Sequence, residues 1–368
     1  MMKNKILYAG LILLSLNVIS CHKKPEPVFR AEEVTVRLLT DAAGFDDRSF
    51  NAAAWRGILE FYGDTWDDAG QRGISYDVFT AQTQDMRVPN LRQAADEGYG
   101  LIAVTGYTWA RALDEVARDN PQQKFLILDA DWFHLPNVMQ AVYAEHEGSF
   151  LVGAAAALKA REDGIANPRF GFIGGMPGAV ITKFEVGFVQ GILSVLPDAQ
   201  IVDYYLNSWG EPALAKTQAK AWYDSGVYAI FTAAGSSGNG TIAQAKEYRA
   251  AGRNVWAIGV DSDQFEEGLY NDTDSAVLTS MFKRVEAIMI YALHSVKNNT
   301  FKGEVITFDL KAGGVGYSAA NPALGRGIVE QVEDMKKQIV NGQIIVASTL
   351  SQAMRLPGFP QNLRAIDD

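Results

Sequence analysis

Residues 39–54 read Leu-Thr-Asp-Ala-Ala-Gly-Phe-Asp-Asp-Arg-Ser-Phe-Asn-Ala-Ala-Ala, setting two rings, three carboxylates and an amide where a strand hands over to a helix. The preceding run Val34 to Thr40 (VTVRLLT) alternates and is β-rich. Asp47 to Phe61 has helical period, with Asp46 or Asp47 able to cap its first turn. In open α/β sheets ligands sit in the crevice outside the carboxyl ends of the strands, so the polar residues of this junction point to binding chemistry.

The same alternation continues outward along the chain. Strands are expected at Val34 to Thr40, Ile74 to Ala81, Leu101 to Gly106, Lys124 to Ala130, Val138 to Ala144, Arg169 to Gly175, Ile201 to Asn207, Val227 to Gly235, Val255 to Asp261 and Ala276 to Met281. Helical stretches separate most of them, among them Val88 to Glu97, Gly148 to Ala160, Ile181 to Val195, Pro212 to Asp224 and Lys283 to Lys297. Strand-helix alternation of this kind predicts α/β architecture with mostly parallel, doubly wound sheets. Polar and small residues collect at the expected strand ends: Asp41, Gly106, Asp129, Gly174-Gly175, Asn207, Gly235 and Asp261.

The first twenty residues carry Lys3 and Lys5, no acid, and an apolar core (Ile6 to Leu16) too short for an ordinary membrane helix. They read as an export signal. It ends in Val18-Ile19-Ser20-Cys21, which resembles the lipobox of bacterial lipoproteins, where the cysteine becomes the acylated first residue. An ordinary signal peptide with an incidental cysteine is the alternative. Cys21 is the single cysteine of the chain, which excludes an intramolecular disulfide and a cysteine metal cluster and leaves anchoring as its expected job. His22 to Glu33, with two prolines and mixed charge, reads as a tether.

The chain is 368 residues with a net charge of −10, and removal of the signal takes away two cations and no acid. An acidic surface without basic stripes repels phosphate backbones, so nucleic acid is not an expected partner. A body well beyond about 250 residues implies more than one core. Two lobes are expected.

Several strand ends carry a functional and a structural reading together. Gly235 to Gly240 (GSSGNG) can bring backbone N–H groups to a ligand oxygen, or can simply be a tight turn; it matches neither G-x-G-x-x-G nor a Walker loop. Asp261 closes a hydrophobic strand, where it accepts from ligand hydroxyls or caps a turn. Lys283, at the start of the next expected helix, pairs if buried with a carboxylate such as Asp261, and is otherwise solvated. Trp209, flanked by Asn207, Ser208 and Gly210, is an odd place for a core ring, and with Phe50 it suggests a sandwich for a flat ligand.

Enzymatic readings fare poorly. The four histidines (His22, His134, His146 and His294) form no H-x-x-x-H pair, and no G-x-S-x-G elbow is present. Asp46 and Asp47 with Asp41 can be imagined as an acid/base pair or metal site, but adjacent acids at a helix start are commonly caps. No cofactor and no metal are expected.

The residues also match a family. Thr40-Asp41 with Asp46-Asp47-Arg48-Ser49-Phe50-Asn51, then Glu147 to Ala160 (EGSFLVGAAAALKA), Gly171 to Met176 (GFIGGM), Ala234-Gly235 with Gly238-Asn239-Gly240, Ile258 to Asp261 with Asp263-Gln264, and Val277 to Arg284 (VLTSMFKR) occur in order. From about Val34 to about Ser348 the chain resembles the basic membrane protein family of substrate-binding lipoproteins, most closely its purine nucleoside receptor (PnrA-like) branch. The resemblance implies a type I periplasmic-binding-protein fold closing two lobes over one ligand, and ABC-type importer permease and ATPase subunits as partners. By position, Phe50 and Trp209 would sandwich the purine, Asp41, Asn51 and Asp129 would face the base edge, and Gly235, Asp261 and Lys283 would hold the ribose hydroxyls. No chemistry is implied.

The implied segmentation is signal 1–20, lipid-anchored tether 21–33, lobe 1 at 34–144 and 282–303, lobe 2 at 145–281 and 304–352, and a tail at 353–368. Trp209 stands where the family usually has Phe, and Ala42-Ala43-Gly44 replaces a short polar stretch, with Phe45 beside it as a competing aromatic. Tyr107 and Trp109 stand where smaller or aliphatic residues are common. A sugar or autoinducer-type receptor on the same fold, and a surface adhesin or antigen with a vestigial pocket, are the competing readings. A nucleoside-cleaving enzyme would need an acid or metal-bound water beyond this set.

Overall fold

The computed structural model describes residues 34–67, 69 and 76–367, so the signal, Cys21 and the tether lie outside the described residues. The chain begins β1 (Val36–Thr40), α1 (Phe50–Tyr62), β2 (Tyr76–Thr80), α2 (Arg87–Asp96), β3 (Leu101–Val104), α3 (Ala110–Asp119), β4 (Phe125–Leu128) and β5 (Val138–Tyr143). It continues with α4 (Glu145–Glu162), β6 (Arg169–Gly174), α5 (Ala179–Val195), β7 (Gln200–Tyr205), α6 (Pro212–Asp224), β8 (Val227–Ala233), α7 (Gly238–Ala250), β9 (Trp256–Asp261) and β10 (Val277–Lys283). Then follow α8 (Val285–Lys297), β11 (Val305–Phe308), β12 (Val315–Tyr317), α9 (Gly325–Val340) and α10 (Leu350–Ala353).

Two six-stranded sheets result, in the orders β11-β5-β4-β3-β1-β2 and β12-β10-β9-β8-β6-β7. Every pairing is parallel except β10 with β12. The doubly wound α/β fold expected from the strand-helix alternation is the one observed. Central strands such as β3, β4, β8 and β9 are buried at every residue, because helices cover both faces of a parallel sheet and leave no solvated side. Edge strand β11 keeps an exposed-intermediate alternation instead.

Three passages between the lobes define their boundary. After β5 the chain enters lobe 2, where α4 packs on α5; after β10 it returns, and α8 packs on α1. After β11 it crosses again to β12. β10 runs through Lys283 in the second sheet, and Val305–Phe308 pairs with β5 in the first. The boundaries expected at 281/282 and 303/304 therefore fall two and five residues early. β11 carries only four residues, of which just Ile306 and Phe308 face the core, and so short an alternation is too weak a signal to read from sequence.

Helices α4 and α5 approach almost backbone to backbone: a Cβ on Gly153 would lie 2.2 Å from the Phe188 carbonyl oxygen, and one on Gly191 would lie 2.0 Å from that of Phe150. The alanine run of α4 is the rest of that close seam. The C-terminal segment packs on lobe 2. Ala353 and Phe359 are buried against Val186 and Val189 of α5. Near its end the Ile366 N–H donates to Thr182 Oγ1 at 3.1 Å, and Arg364 N–H donates to Asp203.

Candidate functional site

Between the lobes lies a cavity at the carboxyl ends of strands from both sheets. All eight residues expected to bind (Asp41, Phe50, Asn51, Asp129, Trp209, Gly235, Asp261 and Lys283) line it, joined by Asp47, Tyr107, Phe184 and several small or aliphatic residues. Their positions follow from the topology. Asp41 follows β1, Asp129 follows β4, Gly235 follows β8, and Asp261 and Lys283 end β9 and β10. Three of these turns run through the left-handed region, at Asp129 (φ 63), Gly235 (φ 55) and Asp261 (φ 62). For a residue with a Cβ that conformation carries a cost, which surrounding structure must offset, and such strain concentrates where a side chain has to be aimed.

The junction that opened the sequence reading is tied down by its own carboxylates. Asp47 Oδ1 accepts from Ser49 N–H at 2.8 Å and Ala52 N–H at 2.9 Å, and Oδ2 accepts from Asn51 N–H at 3.1 Å. Asp47 is thus the acid that serves the orphan donors of α1, whose regular turns begin at Phe50, three residues later than expected. Burial pushes its carboxyl up to about 7 despite those donors. Asp41 accepts from Ala43 N–H at 3.0 Å and from Asn51 Nδ2 at 3.2 Å, which fixes the carboxylate and the amide side by side. Burial also raises Asp41, against the pull of those hydrogen bonds.

Lys283 corrects one expectation. It ends a strand instead of opening a helix, and its ammonium meets Asp129 (3.0 and 2.9 Å) and Glu145 (3.0 Å), not Asp261. Asp261 instead accepts from Ser49 Oγ at 2.9 Å across the cleft. The reason is placement: Glu145 heads α4 directly after the passage from β5, and Lys283 is the last residue before the return passage, so the crossings bring them together. Burial works to lower the pKa of Lys283, but Asp129, Glu145 and Asp261 together hold it above the ordinary lysine value. Burial also works against Glu145, yet Lys283 and Lys183 keep it below its ordinary range. Asp129 is pushed up to about 7 by burial, which Lys283 only partly offsets. Phe50, Tyr143 and Phe184 each hold a ring centroid 4.9 Å from the ammonium.

Trp209 lies flat on Gly175, where a Cβ would sit 2.2 Å from its ring, so only glycine lets the indole take this place. Phe45, named from sequence as a competing aromatic, packs on Trp55 and Trp66 outside the lining. Trp109 is fully buried in the core of lobe 1. Behind the Ile181 and Phe184 wall, Tyr205 hydroxyl donates to Glu185 at 2.6 Å, and burial pushes Glu185 up to about 8. The lobes are held in contact around the cavity. Gln264 Nε2 donates to Arg48 carbonyl at 3.1 Å, and Asn239 Nδ2 donates to Asp47 carbonyl at 3.2 Å.

Sequence reasoning missed Glu145, Phe184 and the bond from Ser49 to Asp261. Glu145 was hidden because the helix was expected to start at Gly148. Phe184 was hidden because α5 is apolar nearly all round, so its period does not reveal which face meets a cavity.

Two α/β lobes linked by three passages, with strand ends of both sheets meeting at the cavity between them, define a two-lobed solute-binding protein. Residues 34–349 match the family model described as Bmp, ABC transporter substrate-binding protein PnrA-like. The chain belongs to that family of ABC transporter substrate-binding proteins. A relative from Listeria monocytogenes, named CD4+ T-cell-stimulating antigen, is 34% identical over 93% of this chain and 96% of its own length. The ABC transporter nucleoside-binding protein BmpA of Lactococcus lactis is 32% identical over 86% of this chain and 90% of its own. A solute-binding protein of an ABC transporter from Aeropyrum pernix shares the fold, with TM-score 0.76 at 24% identity, covering 87% of this chain and 95% of that one.

Proposed function

We propose that the chain is a lipid-anchored receptor that captures a purine nucleoside between its lobes and presents it to the permease and ATPase subunits of an importer. The observation that carries this reading is the cavity's division of labour. Phe50 and Trp209 supply flat apolar faces, Asp41 and Asn51 supply a fixed acceptor and amide, and Asp261 with the Lys283–Asp129 pair supplies charge for hydroxyl groups. A nucleobase wants the first two, and a ribose diol wants the third. The Lactococcus relative's name, nucleoside-binding, supports the same class. Capture works by closing: bonds such as Ser49 to Asp261 exist only when the lobes meet, and a ligand that touches both lobes favours that state. The lipobox ending at Cys21 supports the anchor.

Calorimetric titration of the chain from Lys23 onward with adenosine, guanosine, inosine, uridine, ribose and galactose tests the reading. Tight binding of purine nucleosides without hydrolysis, weakened at least about a hundredfold in Trp209→Ala, is the expected result. Binding of a sugar alone, or of none of these, overturns it.

A further inference from the structure

Tyr107 has no part in the scheme above, yet it touches both lobes. It sits just after β3 in lobe 1 and lines the cavity. Its hydroxyl donates across the cleft to the Met176 carbonyl at 3.2 Å and lies 3.5 Å from that of Pro177. Its ring stands edge-on to Trp209, with centroids 6.3 Å apart and planes at 83°. One loop, the turn between β6 and α5, seats both rings: Gly175 lies under Trp209, and a Cβ on Gly178 would come 3.3 Å from the Tyr107 hydroxyl. The edge contact with Trp209 sets the ring at the base platform, and the charges of Asp129, assigned above with Lys283 to the hydroxyl groups, and of Asp41, assigned to the base, both act on the phenol.

We propose that Tyr107 seals the base end of the cavity and sets the upper size limit on substituents carried at the edge of the bound purine, an inference that rests on the purine-nucleoside reading. A base stacked on Trp209 meets Tyr107 at its rim, because a ring perpendicular to the platform is a wall and not a second stacking face. The phenol's hydrogen is already given to the Met176 carbonyl, so the ring discriminates by shape and not by donating to the base. Rejection by a wall requires that the wall be held, and the same hydrogen bond holds it, since the phenol cannot swing aside without breaking a contact between the lobes. The residue therefore couples closure to fit: a base with a bulky edge group prevents the ring from reaching Met176 and leaves the lobes without that bond.

Equilibrium titration of the native chain, Tyr107→Ala, Tyr107→Leu and Tyr107→Phe tests this, using adenosine, N6-benzyladenosine, guanosine and N2-benzylguanosine. Thermal melts identify which variants are folded. The native chain is expected to prefer each parent nucleoside over its benzyl derivative by about a hundredfold. In Tyr107→Ala or Tyr107→Leu the preference falls to about tenfold or less for at least one pair, while the parent nucleosides also bind more weakly. Tyr107→Phe keeps the wall and loses the latch. It is expected to retain the preference and to weaken both parents about three- to tenfold, the loss of one hydrogen bond. Unchanged preferences in a folded Tyr107→Ala or Tyr107→Leu, or parent affinities in Tyr107→Phe equal to native, overturn the inference while native binding leaves the nucleoside reading standing. A native chain that binds no purine nucleoside overturns that reading, and this inference with it.

Discussion

Replacing Lys283 with Met isolates the electrostatics of the cavity, because the aliphatic stem is retained and only the ammonium is lost. Lys283 is 2% exposed, and its ammonium holds Asp129 and Glu145 within 3.0 Å. Its removal takes from Glu145, which is 1% exposed, the nearer of the two cations that keep it ionised and leaves Lys183 at 3.3 Å. The cheapest relief is uptake of a proton. From an ordinary value of 4.5 that step costs about 3.4 kcal/mol at pH 7 and about 0.7 kcal/mol at pH 5, at 1.36 kcal/mol per unit. The pH 7 figure falls within the ~3–5 kcal/mol seen when a buried ion pair loses one partner. The direction agrees with linkage: Glu145's depressed pKa contributes stability above its unfolded value, and that contribution is lost as pH falls. Urea denaturation followed by far-ultraviolet circular dichroism at both pH values is the assay. Lys283→Met is expected to lose about 3 kcal/mol at pH 7 and about 1 kcal/mol at pH 5, with an unchanged denaturant slope. Addition of Glu145→Gln should restore most of the pH 7 loss. A deficit below about 1 kcal/mol at pH 7, or one equal at both pH values, refutes the reasoning.

Two further outcomes are expected. Glu185, pushed up to about 8, keeps its proton in the folded state where the unfolded chain releases it from about 4.5 upward, so native stability falls as pH rises through that window. Glu185→Gln should flatten this dependence and raise stability at pH 8 by about 2–4 kcal/mol with little change at pH 4.5; coincident pH curves of melting temperature for the two proteins would contradict it. Gly175→Ala drives a methyl into the Trp209 ring, and is expected to weaken adenosine binding at least about tenfold by titration while far-ultraviolet circular dichroism stays native; undiminished affinity would show that the indole is not a platform.

The fold was legible because β-rich runs and helical periods alternate, and most strand ends fall within two residues of expectation. Of the strand ends named from sequence, Asp41, Asp129, Gly235 and Asp261 line the cavity, because a parallel sheet places its carboxyl ends on one side, whereas Gly106, Gly174, Gly175 and Asn207 lie outside the lining. What stayed hidden has physical causes. The partner of Lys283 depends on how two interlobe passages cross, which no local pattern encodes, so Asp261 was named and Glu145 was not. Strand β11 and the packing of residues 353–367 rest on long-range contacts between short segments of weak periodicity. The signal and Cys21 stand on sequence alone, since they lie outside the described residues.

The last residues of the chain have a practical meaning for anyone building with this protein. The family match ends at residue 349, which invites trimming there or fusing a reporter. Yet Ile366 grips Thr182, one residue past Ile181 and two before Phe184, both of which face the cavity. A fluorescent sensor attached after residue 349 would replace the clasp on the first turn of α5, and the affinity it reported would be that of a loosened wall. The reporter belongs beyond residue 367 or in a surface loop, with the clasp left intact.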